Sequence, residues 1–304
     1  MRLFLATALL LPLATMPMPA AADLLTWSVL TARPKPTPDA TIAYGTDQMQ
    51  KVDVWLPKGK TGGKGPLPVV VMVHGGCWTT SIADRSLMNW VADDLRKAGV
   101  AVWNIDYRGV DRSGGGYPGT FQDAAKAADQ LTVNAKTFNL DTRRVVAIGH
   151  SAGGHLALWL AARPRIAKTS ALYSAHPLRI DHVISLGGLP DLEATAANPE
   201  NGCGTEVVTQ LVGTSTPQHP DIYADTSVPR LLPLGVKQDL INGREDRIIP
   251  FVMATDYVAK ATAAGDTATL HTIPATGHVE LIAPETPAWA EAKCLILTDL
   301  GMTK

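Results

Sequence analysis

Short unbroken apolar runs alternate with helix-spaced ones along most of this chain. Val69-Val70-Val71-Met72-Val73 contains no polar position, as a strand covered on both faces requires. Leu87, Trp90, Val91 and Leu95 then recur at helical spacing, with Gly99 as the stop. Val100 to Ile105 reads as the next buried strand, and Thr120 to Lys136, rich in alanine, as a second helix. Arg144 to Ile148 predicts a strand, Ala152 to Ala162 a helix, and His182 to Leu186 a strand. Val236 to Ile241 is a weaker strand because it carries Lys237, Gln238 and Asp239. Phe251 to Ala264 predicts a helix, Ala268 to Ile273 a strand, and Pro287 to Leu300 a last helix. Strands alternating with helices imply a mostly parallel, twisted sheet with helices on both faces, an α/β class.

Two stretches depart from this rhythm. Upstream, Thr41 to Gly45 and Gln50 to Leu56 predict an antiparallel pair. In the second of these, Val52, Val54 and Leu56 alternate with Asp53 and Trp55, the period of a half-buried strand. Residues 23–40 are proline-rich and are expected to be extended. Leu189 to Pro233 is long, mixed and rich in Pro, Gly and Thr. It follows a strand end, so it is expected to be a cap insertion, with Leu192, Leu211, Ile222 and Tyr223 available as an apolar lid. The domain expected is therefore 41–304.

The first residues read differently again. Arg2 precedes an apolar run from Leu3 to Ala14, and Ala20-Ala21-Ala22 supplies a small-residue cleavage site. Broken by Pro12, the run is shorter than the roughly 20 residues a membrane span needs. Residues 1–22 are expected to be a signal peptide, with Asp23 as the mature start and a periplasmic or secreted location. No cysteine precedes Cys77, so the new N-terminus offers no thiol for a lipid anchor.

Composition narrows the partners. Of 304 residues, 46% are hydrophobic and 18% charged, and the formal net charge is -1. A sizeable core is affordable, and no basic footprint for nucleic acid or anionic lipid exists. A small molecule is the expected partner. Cys77, Cys203 and Cys294 fit no zinc spacing. They are expected to be unpaired thiols; were one pair to form, Cys203 with Cys294 is the pairing expected.

The chemistry concentrates in two glycine motifs. Gly149-His150-Ser151-Ala152-Gly153 lies between the strand ending at Ile148 and the helix after it. A sharp strand-to-helix turn exposes a serine hydroxyl at a helix N-terminus, which marks Ser151 as the candidate nucleophile. His74-Gly75-Gly76-Cys77-Trp78 follows the first buried strand directly. Glycines there bring backbone N–H groups close to an oxyanion, so Gly76 and Cys77, with Ala152, are the candidate donors. Cys77 as a rival nucleophile is weaker, because its backbone role already explains its place. Trp78 is equally consistent with walling a pocket or simply packing. Tyr107 and Arg108 are expected to be structural at a strand end.

Acid and base must come later in the chain. Of eight histidines, His278 alone follows the last strand in a loop free to swing over the sheet. His150 is expected to turn away from the serine, and His155 to sit inside the helix. Asp246 lies just past the weak strand and is the first choice of carboxylate, with Glu245 and Asp239 as alternatives. The order Ser151, Asp246, His278 differs from the chymotrypsin and subtilisin orders.

On these motifs, together with Asp106-Tyr107-Arg108, Gly149 to Leu158 and Gly243 to Pro250, the chain resembles the kynurenine formamidase-like α/β-hydrolases. It equally resembles the bifunctional feruloyl and acetyl-xylan esterases. The resemblance covers roughly residues 40 to 300 and implies an α/β-hydrolase fold. It also implies a Ser-Asp-His esterase or amidase that needs no cofactor or metal. The expected reaction is cleavage of a small-molecule carboxylic ester, with an arylformamide as the alternative.

Overall fold

The apolar runs become the strands of one eight-stranded sheet. In chain order they are β1 (Ala40–Ala43), β2 (Lys51–Trp55), β3 (Leu67–Val73), β4 (Ala101–Ile105), β5 (Leu140–His150), β6 (His182–Leu186), β7 (Lys237–Gly243) and β8 (Ala268–Ile273). The computed structural model describes residues 23–58 and 65–303. The leader expected over residues 1–22 lies outside the described residues. The spatial order is β1-β2-β4-β3-β5-β6-β7-β8. β1 and β2 run antiparallel, β2 joins β4 antiparallel, and every later pairing is parallel.

Side-chain alternation divides the central strands between two cores. Val69, Val71 and Val73 of β3 face one layer, with helices α3 (Gly119–Phe138), α4 (Ala152–Ala162) and α7 (Phe251–Ala263). Val70 and Met72 face the other, with α2 (Asn89–Lys97) and α8 (Pro287–Asp299). Every residue of α4 is buried, which fits a sequence apolar at every position but His155. Local chemistry sets the helix ends. Asn139 closes α3 in the left-handed conformation, and Thr286 Oγ1 accepts from Trp289 N at 3.2 Å to start α8, with Pro287 at its first position.

Several expectations change. Residues 23–40 are not wholly extended, because α1 (Trp27–Thr31) forms there, seated by the fully buried Leu30. β2 is buried on both faces rather than half-buried. Trp55 packs in the second core under the Arg96 guanidinium, and Asp53 is neutralised by Arg85 at 2.9 Å. Residues 189–233 carry α5 (Leu192–Ala197), α6 (Thr205–Val212) and a 3-10 turn at Val228–Leu231. Leu192 and Leu211 sink into the core and Ile222 and Tyr223 pack against it, so these residues form no lid. The cysteines are not all free. Cys77 is bonded to Cys203, and Cys294 is exposed on α8. Cys203 belongs to the loop between α5 and α6, beside the turn after β3, while Cys294 points from the outer helix layer into solvent.

The polar residues of β7 have partners. Gln238 accepts from Tyr257 OH at 2.6 Å and donates to Asp266 at 3.0 Å. Asp239, 2% exposed, is held by His182 Nε2 at 2.7 Å from β6 and His271 Nε2 at 2.8 Å from β8. Lys237 reaches it at 3.0 Å. Asp299 and Glu291 of α8 face the outer nitrogens of these two histidines. Burial alone would raise the Asp239 pKa, but the hydrogen bonds from His182, His271 and Lys237 outweigh it. They hold the carboxyl well below the usual carboxylate range. A depressed folded pKa contributes stability above the unfolded value near 4, lost as pH falls through the folded value. Asp239→Asn is therefore expected to cost about 3 kcal/mol at pH 7. Denaturant unfolding at pH 7 and pH 3 should show the gap from wild type narrowing at the lower pH.

Candidate active site

The C-terminal edge of the parallel strands gathers the singled-out residues, as open α/β sheets do with their ligands. Ser151 follows β5 and precedes α4 with φ 55° and ψ −124°, a conformation L residues seldom adopt. Its amide donates to Leu186 O at 2.8 Å, which fixes the turn to the neighbouring strand. The flanking glycines are sterically required. A Cβ on Gly149 would lie 1.9 Å from Gly153 O, and one on Gly153 would lie 2.3 Å from Val73 O. A Cβ on Gly75 would come within 2.9 Å of Ser151 Cβ, so the turn after β3 presses directly on the serine.

His278 sits in the loop after β8, and Asp246 after β7. His278 Nδ1 donates to Asp246 Oδ2 at 2.7 Å, with both side chains almost fully buried. Asp246 Oδ1 accepts the amides of Ile248 and Ile249, each at 2.9 Å, so the carboxylate is fixed from behind. The two alternatives are engaged elsewhere. Glu245 accepts from Thr276 N at 2.9 Å, and Asp239 bridges its histidine pair within the sheet.

Ser151, His278, Gly76 and Cys77 line one cavity of about 400 Å3 with His150, Gly202, Ile248, Trp27, Thr31, Ile82, Ala83 and Leu87. No Lys, Arg, Asp or Glu is among these lining residues. Among the described residues, no protein acceptor takes the N–H of Gly76, Cys77 or Ala152. A serine on a strained turn, an imidazole backed by a carboxylate, and unspent amides beside them are the components of nucleophilic acyl transfer. Among the described residues no group of three or more metal-ligating side chains is placed to hold an ion.

The other histidines take distinct places. His150 lines the same cavity. Its Nε2 donates to His278 O at 3.1 Å, and its ring lies 4.4 Å from that of His278. Burial, reinforced by the nearby His278, lowers its pKa well below the ordinary imidazole value, so it stays neutral. His155 is interior as expected, bonded to Thr226 O at 2.9 Å, and burial brings its pKa down to about 4. His74 stacks on Tyr107 at 4.4 Å and contacts Asp106 Oδ1 at 2.9 Å. Tyr107 is buried and Arg108 clamps Asp123, both as structural parts. Trp78 is fully buried against His155 and packs rather than walls.

Trp27 is the residue that sequence reasoning missed. From α1 its indole stands edge-on, 6.0 Å from His150 and 6.3 Å from His278. Leu25 N donates to Glu280, and Arg33 pairs with Glu285, which docks this segment against the His278 loop. The only signal was an apolar pair, Trp27 and Leu30, at helical spacing within a proline-rich stretch.

Residues 52–260 match the BD-FAE family. The chain belongs to it. A probable isoprenylcysteine alpha-carbonyl methylesterase of Arabidopsis thaliana is 30% identical over 117 residues, 38% of this chain and 23% of that protein. The versiconal hemiacetal acetate esterase of Dothistroma septosporum is 34% identical over 102 residues, 33% of this chain and 30% of that one. The matched stretch is thus under a third of either relative's length. Among solved structures, a truncated carbohydrate esterase from gut microbiota superposes with a TM-score of 0.71 at 20% identity, covering 87% of this chain and 98% of that one. At that identity the likeness carries the fold alone, and the fold is that of the α/β-hydrolases.

The family match begins at residue 52, so α1 and its tryptophan lie ahead of it. The crowding around the serine turn gives a direct test. Gly153→Ala, whose methyl would meet Val73 O and His74 O, is expected to destabilise the fold by about 3 kcal/mol through overpacking. Chemical denaturation measures it, and a change under 0.5 kcal/mol would show that the turn has room to spare.

Proposed function

We propose that this chain hydrolyses carboxylic esters of small neutral molecules through an acyl-enzyme on Ser151, and that it acts outside the cytoplasm. The observation that carries the reading is the His278–Asp246 bond of 2.7 Å beside the strained Ser151 turn, in one cavity. The ester-cleaving names of the relatives and the charge-free lining support an uncharged ester. The Cys77–Cys203 bond and the leader-like first residues support an oxidising compartment.

In this reading His278 removes the Ser151 proton while Asp246 holds the imidazole in the required tautomer and stabilises its charged form. Ser151 attacks the carbonyl, and the N–H groups of Gly76 or Cys77 and of Ala152 receive the oxyanion. His278 protonates the leaving alkoxide. Water then enters by the same route and releases the acid. An ester suits this set better than an amide, because an alkoxide leaves with less assistance than an amide nitrogen.

Ser151→Ala is expected to lower kcat by ~10⁶ and to abolish fluorophosphonate labelling, and Asp246→Asn to lower kcat by about 10⁴. Glu245→Gln should cost far less, since its side chain faces Thr276. Labelling that survives Ser151→Ala would move the nucleophile, and a larger loss in Glu245→Gln would move the carboxylate.

The substrate class is tested on one panel of short-chain esters, feruloyl esters, acetylated sugars and N-formylkynurenine. The ester members should show the higher kcat/KM. A formamide preference of tenfold, about 1.4 kcal/mol of transition-state binding, would make the enzyme a formamidase. N-terminal sequencing of the protein from its host should begin near Asp23, and a retained Met1 would remove the export.

A further inference from the structure

We infer that the Cys77–Cys203 disulfide is a positioning clamp that holds the turn after β3 in the form its amides need. The inference rests on the acyl-transfer reading above and adds a covalent control to it. Gly76, Cys77 and Trp78 carry three successive positive φ values, 105°, 50° and 53°. Two of the three are not glycine, and such backbone persists only where its surroundings hold it. The carbonyl side of the turn is held by hydrogen bonds. Gly76 O accepts from Thr79 N at 2.9 Å, Cys77 O from Thr79 Oγ1 at 3.0 Å, and Trp78 O from Val110 N at 2.8 Å. The amide side is left open toward the cavity. What restrains Cys77 there is its side chain, through the sulfur of Cys203.

Cys203 is itself well anchored. Its amide donates to Asn201 Oδ1 at 2.8 Å, and the fully buried Asn201 amide group donates to Thr195 O and Asn198 O, each at 2.8 Å. The adjoining Gly202 presses on Ile248, since a Cβ there would stand 2.1 Å from Ile248 O. The amide of Ile248 is one of the two that hold Asp246. One short path therefore runs from the turn amides through the disulfide and Gly202 to the carboxylate behind His278. Cutting the bond frees the turn from the α5–α6 loop and leaves Ser151, His278 and Asp246 in place. Both cysteines are partly exposed, so a dithiol reaches them; its oxidation to a cyclic disulfide supplies the two electrons and two protons that make the two thiols.

The test compares wild type with Cys203→Ser, Cys77→Ser, the double variant and Cys294→Ser, on the best ester found. Measurements are made at a temperature where circular dichroism shows every variant folded. Each clamp variant should lose about tenfold to a hundredfold in kcat, with KM changed under threefold. That is less than the roughly 10²–10³ lost when an oxyanion donor is removed outright. The double variant should match the singles, because one bond is broken in all three. Saturating fluorophosphonate should still label Ser151. Dithiothreitol should bring wild type down to the Cys203→Ser level, reversibly, and leave Cys203→Ser unchanged. Cys294→Ser should behave as wild type. An active wild-type enzyme with undiminished kcat in the folded Cys203→Ser variant overturns the clamp alone. A wild-type chain that turns over no ester, or labels elsewhere than Ser151, overturns the function and the clamp together.

Discussion

Everything at this site depends on a backbone held where it would not rest on its own. Ser151 occupies positive φ because Gly149 and Gly153 are pressed together with no room for a side chain between them. That closeness in turn requires β3, β5 and β6 to stand in their parallel register, with Ser151 N tied to Leu186 O. The sheet and its two cores stabilise the fold, and part of that stability is spent on one strained residue. The turn after β3 repeats the pattern beside it. Two adjacent strained turns, one bearing a hydroxyl and one bearing free amides, are brought together by neighbouring strands rather than by each other.

Most of this was legible because the signals were local. The bounds of α4, β6 and β8 follow directly from the apolar pattern, and Ser151, Asp246 and His278 are singled out by their positions after strand ends. What was not legible was set by distant partners. β2 looks half-buried until Arg85 and Arg96 are placed over it. Asp239 looks foreign to a strand until His182 and His271 arrive from its two neighbours. Cys203 pairs with a cysteine 126 positions earlier, which no spacing rule supplies. His150 was expected only to turn away from the serine, and its bond to a buried carbonyl of the His278 loop was not foreseen.

The cavity also separates general from particular chemistry. Ser151, Asp246 and the turn amides stand within the family-matched region and His278 lies beyond it, each just past the end of a sheet strand. Much of the wall comes from the connections between strands and from the segment ahead of β1. Ile82, Ala83 and Leu87 lie in the approach to α2, Gly202 in the α5–α6 loop, and Trp27 and Thr31 in α1. Loops and short helices tolerate substitution better than packed strands do. These parts of the wall can vary without disturbing Ser151, Asp246 or His278.

The docking of α1 has a consequence for how the molecule is made. Leu25 and Arg33 are joined to Glu280 and Glu285 across sequence separations of 255 and 252 residues. Such contacts form late, because about 250 further residues must be synthesised before the later partner exists. A nascent chain stopped short of residue 278 has a serine turn with neither the imidazole nor the tryptophan wall beside it. The cavity is therefore completed only once residues 278–285 have been made, and shorter products carry no finished pocket.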